Sequence, residues 1–145
     1  MFRRFSMVAV VLFTLVAPMA FASQAALVIV LENGQVVTEC VTFEGPVITA
    51  FDLLEASNFD FTSQEFHFGQ AICSIEGTGC DFPTESCFCQ SNFFSLFFLK
   101  NGQFESSHVG ASHLIVHNGD VIAFAFGTGT APETVTFEEV CGSGS

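Results

Sequence analysis

The sequence predicts an α+β domain: a mixed sheet with one short helix on one face and a loop stapled by disulfides. Three observations predict it. In the stretch from Phe93 to Gly127 two Asn-Gly pairs, Asn101-Gly102 and Asn118-Gly119, lie between β-prone runs, and Asn-Gly tolerates the positive φ angles of a two-residue hairpin turn. Thr49, with Asp52 three residues on and Ile48 and Leu53 placed as a hydrophobic staple, reads as a helix start. Six Cys in a chain of 145 residues, four of them between Cys73 and Cys89, read as a disulfide framework if the chain is exported.

Export is expected from the first residues. Arg3 and Arg4 form a positive start, Met7 to Ala17 is almost wholly apolar, and Ala20-Phe21-Ala22 is a small-x-small cleavage site. The expected division is a signal peptide over residues 1–22, one domain over 23–141 and a flexible tail over 142–145. A retained anchor is the rival, because apolar sequence resumes at Ala25; Pro18 and Ser23-Gln24 interrupt it. No Cys follows the apolar run for lipid attachment. The expected location is therefore secreted or cell envelope, with no stable membrane span after cleavage.

Beyond residue 22 the chain holds one basic residue, Lys100, against 15 acidic ones, a net of −14. Such a chain cannot neutralise phosphates, so nucleic acid and anionic membranes are poor partners. The aromatics are 20 Phe with no Tyr and no Trp. Every ring thus supplies area and stacking, with no hydroxyl or indole donor.

The elements follow in order. Ala26 to Leu31 and Val36 to Phe43 form a hairpin around Asn33-Gly34, with Val37, Glu39, Val41 and Phe43 on one face and Val36, Thr38, Cys40 and Thr42 on the other. A helix runs from about Ala50 to Ser57. Phe59 to Phe68 alternates, and extended chain continues into Ala71 to Ile75. The loop from Cys73 to Cys89 carries Gly77, Gly79 and Pro83. Phe93 to Leu99 and Gln103 to Ser107 form the next hairpin, with Phe94, Leu96 and Phe98 on one face and Phe93, Phe97 and Leu99 on the other. A strand apolar on both faces is central in its sheet or exposes one face to a partner. Ser112 to His117 and Asp120 to Phe126 come next. In the latter, Ile122, Phe124 and Phe126 are bulky on one face, and Val121, Ala123 and Ala125 are small on the other, where the helix is expected to pack. Thr134 to Val140 reads as a final edge strand. Two strands, a helix, then three or more strands match a β-grasp-like arrangement.

Six Cys allow fifteen pairings. Cys87 and Cys89, one residue apart, can hardly bridge each other, which removes three. Cys73, Cys80, Cys87 and Cys89 would close the loop in two bonds, leaving Cys40 to join Cys141. Zinc held by the four loop Cys is the rival, although they lack the usual Cys-x-x-Cys spacing. A second metal reading uses His113, His117 and Asp120; the other reading of these His is solvent-facing polar positions. Catalytic signals are missing from the sequence. Ser107-His108 points its side chains to opposite faces of a strand, no Gly-x-Ser-x-Gly elbow occurs, and Gly127-Thr128-Gly129-Thr130 has no following Lys for a phosphate loop. No enzymatic activity and no bound cofactor are expected.

The run Phe93 to Phe98, the Lys-Asn-Gly-Gln-Phe turn, Gly110-Ala111-Ser112, Asn118-Gly119-Asp120-Val121-Ile122 and the cysteine loop together resemble a bacterial secreted family similar to the C-terminal domain of transcobalamin. The resemblance covers roughly residues 26–129. It implies a β-grasp-like fold and a cobamide as a possible ligand, since in transcobalamin this domain closes over cobalamin while a separate helical domain holds the other side. Positions 94, 97 and 104, commonly Trp in relatives, are Phe here, which retains stacking and loses indole hydrogen bonds. The leading expectation is an exported binding module in which Phe94, Phe97, Phe98 and Phe104 present an apolar platform to a flat small ligand or a partner protein. The alternatives are a structural or adhesion module of the cell envelope and a metal-binding domain.

Overall fold

The computed structural model describes residues 13–18 and 22–142. Most of the expected leader and residues 143–145 of the expected tail lie outside that range, and residues 13–18 form no regular element. Among the described residues, no helix is long and apolar enough to cross a membrane.

The first hairpin joins β1 (Ala22–Val30) to β2 (Val36–Glu44). Gly34 takes φ +78 at the turn, and Asn33 Oδ1 accepts from the Gln35 N–H at 2.9 Å. β1 starts four residues earlier than the apolar run implied, because Ser23 is fully buried and its hydroxyl donates to the Gly45 carbonyl. β3 (Val47–Thr49) leads into α1 (Ala50–Ala56). The Thr49 hydroxyl caps α1 by accepting from the Asp52 N–H, as the sequence predicts. A helix of seven residues is unstable alone. Ala50, Leu53 and Leu54 are fully buried, and at its far end the Glu39 carboxylate of β2 accepts from both the backbone and side-chain N–H of Asn58.

β4 (Phe61–Phe66), β5 (Gly69–Ile75) and β6 (Thr78–Gly79) form a small antiparallel sheet. β7 (Phe93–Lys100) and β8 (Gln103–Ser106) form the second large hairpin, with Asn101 at φ +52 and Gly102 at φ +79 in its turn. β9 (Ile115–His117) pairs with β3, and β10 (Val121–Gly127) enters the main sheet. That sheet has the order β2-β1-β10-β7-β8. Its centre is parallel: Ala26 faces Val121, and Val30 faces Ala125. The chain closes with α2 (Phe137–Cys141). The class is α+β.

A centrally parallel sheet must be covered on both faces. One cluster joins Leu27, Ile29, Val41, Phe43, Ile122 and Phe124 to α1 and to Ile75. The other joins Ala26, Val28, Phe97, Phe104, Val121 and Ala123, with Val135, Phe137 and Val140 packed on them. β7 is apolar on both faces because it is an inner strand, flanked by β10 and β8. Cys40 is bonded to Cys141 and ties α2 to β2; Cys73 is bonded to Cys87 and Cys80 to Cys89.

Four expectations need correction. The small face of β10 takes the C-terminal segment, not α1; α1 lies over the bulky face with Ile122 and Phe124. Residues 134–140 are not an edge strand, because Thr136 and Glu139 form a reciprocal capping box that starts α2. Asn118-Gly119 is a turn but not a hairpin: the strands on either side pair elsewhere, and the turn is held by Gln24 of β1, whose N–H donates to Asn118 Oδ1 and whose carbonyl accepts from Gly119. The extended reading of 59–75 is a hairpin that turns at His67 and Phe68.

Two stability measurements follow. Replacing both Cys40 and Cys141 with Ser should lower the unfolding free energy by about 2–5 kcal/mol in denaturant melts, because this bond closes a loop of 101 residues. Phe97→Ala should cost about 3–5 kcal/mol, since Phe97 is 1% exposed in a packed core.

Candidate functional site

The first face of the sheet is covered in two pieces, and a pocket opens at the seam. Its floor is Leu96 of β7, Phe124 of β10 and Ala111; its walls are Phe68, Phe88 and Phe94. The volume is ≈ 180 Å³. Among the described residues, Gln70 is the only side chain with a hydrogen-bonding group along it, and no charged residue lines it.

Each wall has a local cause. Phe68 projects from the β4–β5 turn and stacks on Phe66, with centroids 5.1 Å apart and planes 5° from parallel. Gly69 follows at φ +111; a Cβ there would press on Ser112 Oγ at 3.1 Å and His113 Cε1 at 3.2 Å. That close approach lets the Gln70 N–H donate to Ser112 Oγ at 2.9 Å and docks the hairpin on the 110–114 turn. The same turn is tied to α1, whose Ala50 and Phe51 N–H groups donate to the Leu114 and Ala111 carbonyls. Phe88 lies between Cys87, bonded to β5 through Cys73, and Cys89, bonded to Cys80. It is fixed on both sides although the residue is 52% exposed, and its ring tilts against Phe66 at 5.8 Å. Gly79 is required beneath this loop, since any Cβ would collide with the Cys73 carbonyl. Phe94 is set by the pleat of β7 and rests on Phe126 at 5.1 Å.

Of the four residues expected to form one platform, only Phe94 lines the pocket. Phe98 shares its face of β7 but packs into the larger core cluster. Phe97 points to the opposite face by strand alternation. Phe104 joins it there, because it pairs with Leu99 across the hairpin. Phe97 and Phe104 are buried under the C-terminal segment and form no exposed platform. Phe68 and Phe88 were not among the expected site residues. The Cys-Phe-Cys run is a usable signal, because two bonded Cys fix the backbone on either side of the ring.

The metal candidates do not converge. His113 lies in a turn beside Gly69, off any strand face. His117 Nδ1 is 3.4 Å from Asp120 Oδ2, with both side chains exposed, and the same oxygen already accepts from the His117 N–H. All six Cys are in disulfides, which removes the thiolate zinc site. Among the described residues, no group of three or more His, Cys, Asp or Glu could hold a metal ion.

No family model matches the chain, and no curated protein matches it. Among solved structures, one from Ruminococcus gnavus ATCC 29149, named a "putative metal binding protein", is similar in fold, with a TM-score of 0.56 and 14% identity over 74% of this chain and 99% of that one. At that identity the likeness concerns the fold alone.

The walls and floor of the pocket should differ sharply on truncation. Phe88→Ala should change stability by less than about 1 kcal/mol, because the ring is half in solvent. Phe124→Ala, at 1% exposure, should cost about 3–5 kcal/mol in the same denaturant titration.

Proposed function

We propose that the chain is an exported, non-catalytic binding module that takes the apolar edge of a flat ligand, such as a cobamide, in the pocket walled by Phe68, Phe88 and Phe94. The observation that carries the reading is the exposure of two of those residues, 49% for Phe68 and 52% for Phe88, on a frame of disulfides and glycine-dependent contacts that holds them there. Rings left in water and kept from collapsing form a preorganised contact surface. Three disulfides favour an extracytoplasmic location.

We further read the sheet as β-grasp-like. Numbering only its own five strands, the order is second, first, fifth, third, fourth, with the first and fifth parallel and the helix after the second. That arrangement supports the resemblance to the transcobalamin C-terminal domain family.

Size narrows what the pocket can hold. Drug-sized ligands occupy roughly 300–1,000 Å³, whereas an apolar cavity of about 150 Å³ takes a benzene-sized group. At ≈ 180 Å³ the pocket fits one ring or branched aliphatic group. A ring burying about 150–250 Å² gains roughly 4–6 kcal/mol at about 25 cal/mol per Å². That is no more than the lower part of the association cost. The pocket is therefore an anchor for one group of the ligand, and contacts outside it must supply the rest of the affinity. The same size suits a single apolar side chain of a cell-envelope protein, which is the second reading. For metal, the name of the Ruminococcus gnavus protein is the motive; here His117 and Asp120 would need a third ligand from elsewhere.

Native mass spectrometry with a cobamide mixture tests the leading reading. A specific adduct is expected, lost in Phe68→Ser and Phe88→Ser variants that keep the wild-type circular dichroism. An unchanged mass with cobamides would sink the flat-ligand reading and leave the envelope-protein one, and a zinc adduct lost in His117→Ala would favour metal.

A further inference from the structure

Three Asn-Gly pairs occupy exposed turns, and the structure makes them chemically unequal. Spontaneous deamidation begins when the glycine backbone nitrogen attacks the Asn side-chain carbon Cγ. A nitrogen–carbon bond forms, the glycine N–H proton leaves with the side-chain amide as ammonia, and a succinimide ring results. Water then opens the ring at either carbonyl, giving Asp or isoaspartate. No oxidant or reductant takes part. Attack requires a glycine nitrogen whose proton is not engaged and an amide side chain free to rotate onto it.

At Asn33 neither condition holds. Its Oδ1 accepts from the Gln35 N–H at 2.9 Å, and the Gly34 N–H donates to the Leu31 carbonyl at 2.9 Å. Asn118 is held more firmly. Its Oδ1 accepts from the Gln24 N–H at 2.8 Å, and the Gly119 N–H donates to the Gln24 carbonyl at 2.8 Å. Gln24 belongs to β1, so freeing that turn means loosening an inner strand of the main sheet. Asn101 differs. Among the described residues nothing bonds to its side chain or to the Gly102 N–H. Both residues are exposed, and nothing lies within 4 Å of a Cβ built on Gly102. The hairpin pair Lys100 and Gln103 closes the turn, and among the described residues one side chain tethers it: the Thr134 hydroxyl donates to the Gly102 carbonyl at 3.0 Å and leaves the nitrogen free.

We propose that Asn101 is a self-modification site, where the folded protein converts to aspartate and isoaspartate, while Asn33 and Asn118 are protected by their own turns. The product places a negative charge beside Lys100, the only basic residue beyond the expected leader. The isoaspartyl form also adds a backbone methylene to a two-residue turn. That displaces the Gly102 carbonyl from Thr134 and loosens the segment that leads to the cover of the second face.

Peptide mapping by mass spectrometry tests the proposal on the oxidised, folded protein, held in mildly alkaline buffer and sampled over days. Asn101 should deamidate at least about tenfold faster than Asn33 or Asn118, because each protected turn must first break two hydrogen bonds. The same chain, reduced and unfolded in urea, should show the three rates drawn together. Equal rates in the folded protein would overturn the proposal. So would the same ranking in urea, because the flanking sequence and not the turns would then set it.

Discussion

The parallel contact between β1 and β10 is the constraint from which the rest follows. Two strands that meet in the middle of a sheet and run the same way cannot be joined by a tight turn. Everything between residues 31 and 120 is the connection, and it must supply the sheet's other strands and the cover for one face. The residues at the contact, Ala26 to Val30 and Val121 to Ala125, are apolar without exception, as a pair buried on both faces requires. Small side chains, Ala26, Ala123 and Ala125, collect on the second face. That face has room for Phe97 and Phe104 beneath a thin irregular segment ending in α2, and the Cys40–Cys141 bond keeps the thin cover in place.

The pocket is a by-product of how the first face is closed. α1 is too short to span that face, so the β4–β6 sheet and the cysteine loop cover the remainder. The two covers meet at the 110–114 turn, which hydrogen-bonds to both. Where they fail to meet, a pocket opens over Phe94, Leu96 and Phe124, and Phe68 and Phe88 rise on either side. Two disulfides concentrated between Cys73 and Cys89, from the end of β5 through the loop after β6, stiffen that side of the opening. The proposed binding role rests on this rigidity, because a ring fixed before contact loses little entropy on contact.

Local signals carried much of the architecture. The Thr49 cap, the alternation along β2 and β7 and the turn at Asn101-Gly102 are encoded within a few residues, and the structure reproduces them. What sequence alone did not reveal depends on distant partners. Nothing near Ile115 says that β9 will pair with β3, and nothing near Asn118 says that its turn will be held by Gln24. The alternation from Thr134 to Val140 resembles a strand, yet Thr136 and Glu139 meet as a capping box and start a helix. The candidate site was legible only in part for the same reason. Phe94, Phe97, Phe98 and Phe104 are close in sequence, but the pleat sends Phe97 and Phe104 to the opposite face and Phe98 packs into the core, while Phe68 and Phe88 arrive from elements whose docking no local pattern specifies.

The central claim is that the β1–β10 contact, covered on both faces, is the most stable part of the molecule and that the elements around the pocket are attached to it. Native-state hydrogen exchange of the oxidised protein, read amide by amide, tests this most directly. The slowest exchange is expected at Leu27, Ile29, Ala123 and Ala125, through global unfolding alone, with faster local opening in the β4–β5 hairpin. Exchange at those four amides as fast as in the hairpin would contradict it.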